Sequence, residues 1–101
     1  MKLTKAQRHE CYTQAVKMHE TGMKNFMCSS LSGALKSIGI EKEVSSYEVI
    51  DFYFPELVAK RPIITETVNC WWNIYEQKQR IKVLRACIRE TAPRKKAKKQ
   101  K

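Results

Sequence analysis

Three glycines and three prolines are the strong backbone breakers in this 101-residue chain, and their placement limits the folds open to it. Gly22, Gly39, Pro55, Pro62 and Pro93 divide the chain into stretches of helix length. Too few breakers remain for the tight turns of a β-sandwich or barrel. Apolar residues recur at helical spacing within the stretches. The sequence therefore predicts an all-α fold: a small single-domain bundle of three to five helices over residues 1–92, with a basic tail over residues 93–101. A hydrophobic share of 43% excludes a disordered chain.

In "LTKAQRHECYTQAVKMHETG", Thr4 and Gln7 match a capping box, in which each side chain satisfies an end amide. Cys11, Ala15 and Met18 share a face that Tyr12 and Val16 widen, and Gly22 ends the helix. In "NFMCSSLSGALKSIG", Asn25 suits the cap, and Met27, Leu31, Ala34 and Ile38 form a stripe broadened by Leu35. Gly39 supplies a left-handed terminus. The small residues Ser29, Ser30, Ser32 and Gly33 allow another helix to come close.

"VSSYEVIDFYFPEL" combines a capping box from Ser45 and Glu48 with a hydrophobic staple from Val44 and Val49. The patch of Val49, Ile50, Phe52, Tyr53 and Phe54 follows, and Pro55 breaks or kinks the helix. "PELVAKRP" fits a short helical turn or an irregular connection. Downstream, Thr65 suits a cap, and Ile74, Ile81, Leu84 and Ile88 fit one helical face. The polar run "NIYEQKQ" predicts a break, leaving Gln79 to Glu90 as the last helix, with Pro93 as its stop. "RPIITETV" also fits a short strand.

Catalytic and metal chemistry find little footing. His9 and His19 are ten positions apart on one helix, about 15 Å along its axis, too far to share a small site. Cys11 is two positions from His9, and such neighbours point to different sides. The expectation is a protein that is not an enzyme and carries no cofactor. Cys11, Cys28, Cys70 and Cys87 lie at least 17 positions apart, without the paired spacing of zinc ligands. They read as buried small hydrophobes, and no metal site is expected. Met1 to Glu10 lack the apolar run of a signal peptide, and no stretch approaches the ~20 residues of a membrane span. A cytoplasmic setting with reduced thiols is expected, with no membrane partner.

Charge carries the functional signal. The chain has 20 Lys+Arg against 10 Asp+Glu, a net charge of +10. Six of the ten excess charges are Arg94, Lys95, Lys96, Lys98, Lys99 and Lys101, leaving an unremarkable +4 on the remainder. Upstream, Lys78, Lys82, Arg85 and Arg89 recur at intervals of four, three and four, as one stripe beside the Ile81, Leu84 and Ile88 face. Such cations neutralise phosphates and release counterions, which gives salt-sensitive affinity with little sequence preference. The bland reading is a solvated helix face that leads into a solvated tail. A helix-turn-helix is disfavoured, since Gly39 to Val44 is too long a turn and Glu48 and Asp51 would face the DNA.

Adjacent Trp71 and Trp72 project to different sides of a helix. Both fit a small core; alternatively one is an exposed anchor for a protein partner or a base-stacking surface. The two partner classes are thus nucleic acid, DNA or RNA, and protein. The residues Cys28-x2-Leu31, Phe54-Pro55-Glu56-Leu57, Trp71-Trp72 and Arg80-Ile81-x2-Leu84-x3-Ile88 form a pattern across residues 26 to 88. It resembles one found in small uncharacterised α-rich accessory proteins of phages and mobile elements. The resemblance implies a compact helical accessory protein and transfers no functional residue. The basic tail departs from it.

Overall fold

The structure, a computed structural model, describes residues 2–23, 27–44, 47–60 and 77–93. Within them the chain is helical, with no strand. The helices are α1 (Lys5–Glu20), α2 (Met27–Ser37), α3 (Tyr47–Tyr53), α4 (Pro55–Val58) and α5 (Gln77–Thr91). The expected all-α bundle is what forms. The suggested caps Asn25, Ser45 and Thr65, the strand alternative at residues 61–68, Cys70, Trp71, Trp72, Ile74 and the tail from Arg94 lie outside the described residues.

Helix α1 is central. Thr4 accepts from the Gln7 backbone amide at 3.1 Å, and the Gln7 side chain accepts from the Thr4 amide at 2.9 Å, so the capping box is complete. Cys11, Tyr12, Ala15, Val16 and His19 are buried. This arc of positions i, i+1, i+4, i+5 and i+8 is wide enough to meet two helices, and α1 packs against both α2 and α5. Gly22 closes the turn after α1 at φ 75°, in the left-handed region where glycine carries no Cβ penalty.

Helix α2 buries Met27, Ser30, Leu31, Ala34 and Leu35, with Ile38 half-buried behind them. Its small residues permit the close approach to α1. A Cβ at Gly33 would lie 3.1 Å from Met18 Cε, and Ser30 Oγ lies 2.8 Å from His19 Nε2. Gly39 ends this unit at φ 88°. The connection toward α3 is held by the Val44 amide, which donates to Ser32 Oγ at 2.8 Å.

Pro55 separates α3 from α4. It occupies the first turn of α4, where its missing amide donor costs nothing. Phe54, at the junction, turns its ring into the core, tilted against Tyr12 with centroids 5.6 Å apart. Its carbonyl accepts from the amides of Leu57 (3.0 Å) and Val58 (3.1 Å), which starts the short α4. Ile50, Phe54 and Leu57 join Leu3, Val44 and the α1 and α2 residues in one core.

Helix α5 reaches back to Gln77, two residues before the expected start and inside the run where a break was expected. It buries Arg80, Leu84, Cys87 and Thr91, while Ile81 and Ile88 are half-buried. The buried stripe is therefore rotated relative to the apolar one. The reason is polar: Thr91 donates to Cys87 O at 2.8 Å and contacts α1 through His9, so it tolerates burial.

Candidate nucleic-acid interface

The candidate surface is the solvent side of α5. With Leu84 and Cys87 fixed in the core, helical geometry turns Lys78, Lys82, Arg85 and Arg89 outward, and all four are exposed. They span about 16 Å of helix axis. Together with Ile81 and Glu20 of α1 they line one open groove, Ile81 adding an apolar patch. Arg85 Nη2 donates to Glu20 Oε2, an exposed ion pair that ties the end of α1 to α5. The groove thus gathers four cations and, among the described residues, a single carboxylate. Glu20 was not singled out by sequence reasoning. Its only signal is its place at the last turn of α1, which acquires meaning once α1 and α5 are known to be neighbours.

The tail cations Arg94, Lys95, Lys96, Lys98, Lys99 and Lys101, and the aromatics Trp71 and Trp72, lie outside the described residues. Of the expected phosphate contacts, the structure brings together the four on α5.

A second polar cluster fastens α4 to α1. Arg8 makes a paired contact with Glu56: Nε donates to Oε1 at 3.0 Å and Nη2 to Oε2 at 3.0 Å. Its Nη1 donates to Leu3 O at 2.9 Å, and Tyr12 Oη donates to Glu56 Oε1 at 2.9 Å. Partial burial pushes the Glu56 carboxyl up. The hydrogen bonds from Arg8 and Tyr12 outweigh it and hold the group below its usual range. Burial, followed by the nearby Cys87 and Glu56, raises the Tyr12 phenol. Sequence reasoning missed this cluster; its trace is the Arg8–Tyr12 spacing of one helical turn.

The imidazoles engage different helices. His9 Nδ1 is 3.2 Å from Ile88 O and 3.1 Å from Thr91 Oγ1 on α5. A carbonyl only accepts, so this nitrogen carries the proton. His19 is fully buried against Ser30 of α2. Ser30 donates to Met27 O at 2.9 Å, so its oxygen is left to accept from His19 Nε2–H. Cys11 and Cys87 are free thiols. Burial, reinforced by Glu10, pushes the Cys11 thiol up to about 12; burial also pushes Cys87 to about 12, against the opposing charge of Lys60. Both are protonated at neutral pH.

Among the described residues, no group of three His, Cys, Asp or Glu side chains could hold a metal ion, and no helix is long and apolar enough to cross a membrane. Comparison of the chain with protein-family models, with curated proteins and with solved structures found no significant match.

Proposed function

We propose that this chain is a noncatalytic nucleic-acid-associated accessory protein that grips the phosphate backbone through the α5 stripe and the basic tail. The observation that carries this reading is the alignment of Lys78, Lys82, Arg85 and Arg89 along one exposed groove. Phosphate neutralisation by such a row gives affinity that falls with salt and reads little sequence. The cytoplasm is the setting that keeps Cys11 and Cys87 as thiols.

The test is a salt-titrated binding assay of the full chain against duplex DNA and against RNA of matched length. Binding is expected with both, and on the duplex the K78Q/K82Q/R89Q variant should flatten the plot of log affinity against log salt by about 2.7. An unchanged slope in that variant removes the α5 stripe from the interface.

A second reading, a protein-interaction module such as a mobile-element inhibitor or assembly factor, draws on a different surface. Phe52 is exposed and shares a groove with Val49, Tyr53, Lys42 and Glu48. Recovery of one protein partner after nuclease treatment, lost in F52A, supports it; Trp71 and Trp72 are the further anchors proposed from sequence.

A further inference from the structure

We propose that Glu20 is a charge lock on the basic groove: it keeps Arg85 occupied, so that a bound polyanion engages three of the four α5 cations rather than four. The inference rests on the polyanion reading above and adds the residue that sets its strength.

The geometry places the lock inside the site. Glu20 lines the same groove as Lys78, Lys82 and Arg89, so its carboxylate meets any phosphate that enters. It is the last residue of α1, and the neighbouring His19 is buried against Ser30, which holds this end of the helix in position. Arg85 reaches across from α5 to donate to it. The side chains are 58% and 36% exposed for Arg85 and Glu20, so the pair belongs to the class of surface salt bridges that contribute little to stability. Its effect therefore shows in binding. A cation already matched by a carboxylate does not add to the counterions released when phosphate arrives, and each phosphate neutralised on a duplex contributes about 0.9 to the salt slope. The carboxylate also repels phosphate directly.

The experiment compares full-length wild type, E20Q, R85Q, E20Q/R85Q and K82Q on a random-sequence DNA duplex from 50 to 200 mM salt. Glu20→Gln should steepen the slope by about 0.9 and tighten binding about tenfold at 50 mM. Arg85→Gln should weaken binding without steepening the slope, because it leaves the Glu20 carboxylate unmatched beside the incoming phosphates. The double variant should regain affinity over R85Q without steepening the slope beyond wild type, which separates release of Arg85 from a general gain in positive field. Lys82→Gln should lose about 0.9. Thermal unfolding of E20Q should coincide with wild type. An E20Q slope equal to wild type overturns the lock; the groove reading survives that result if K82Q still loses its 0.9, and falls with it if K82Q is unchanged. Absence of wild-type and E20Q binding at 50 mM overturns both.

Discussion

Glu56 joins pieces of chain that no local rule connects. Its carboxylate takes hydrogen bonds from Arg8 and Tyr12 of α1, and its own backbone carbonyl accepts from Lys60 Nζ at 3.1 Å. Because its folded value is depressed, its contribution to stability is whole above the unfolded carboxyl value of about 4.3 and is lost as pH falls through the lower folded value. Glu56→Gln should therefore cost about 2 kcal/mol at pH 7, measured by urea unfolding, because a partly buried guanidinium loses its charged partner. The gap between variant and wild type should close on acidification below pH 4. A gap that persists undiminished at pH 2.5 would show that Glu56 acts through packing rather than charge. The same cluster marks a limit of sequence reading. Arg8 and Glu56 are 48 positions apart, and nothing local to either announces the other. His9 and His19 were rightly separated by helix length alone, but their partners on α5 and α2 follow from how the helices dock.

At the scale of the helix, local chemistry is legible where it is self-contained. The Thr4–Gln7 box, the left-handed glycines at positions 22 and 39, the α2 stripe and the interruption at Pro55 each depend on neighbours in sequence, and each forms. The inward face of α5 was only partly legible. Ile81, Leu84 and Ile88 suggest one stripe, yet Cys87 and Thr91 lie deeper than Ile81 and Ile88, since docking against α1 rewards Thr91 with polar partners. Two glycine substitutions separate conformation from packing. Gly39→Ala places a Cβ in a left-handed conformation with no described residue within 4 Å of it, so the cost is backbone strain of about 1–2 kcal/mol. Gly33→Ala sits mid-helix, where alanine is favoured over glycine by about 1 kcal/mol, and among the described residues the neighbours in its way are Sδ and Cε of the flexible Met18. Urea unfolding should find G39A destabilised and G33A neutral or slightly stabilised. Equal destabilisation of both would mean that α1 and α2 tolerate no adjustment at Met18.

At the scale of the whole molecule, the basic stripe of α5 stands apart from the described core. The described core takes in α1, α2, α3, α4 and α5, and its last buried residue is Thr91. The six cations from Arg94 onward follow it in sequence, and the α5 stripe stands on the opposite side of its helix from Leu84 and Cys87. A charge that plays no part in the core can be removed without unfolding it, because surface changes away from packed features usually fall within about 0.5 kcal/mol. Deleting residues 94–101 should thus leave the thermal midpoint within about 2 °C of the intact chain. It should also flatten the duplex salt slope by up to about 5, the contribution of six phosphate contacts. The two readouts are independent, which makes the outcome decisive. A midpoint lowered by more than about 5 °C would mean that the tail belongs to the fold. An unchanged slope with an unchanged midpoint would confine polyanion binding to α5, where charge is counted by Lys78, Lys82, Arg89 and the partner chosen by Arg85.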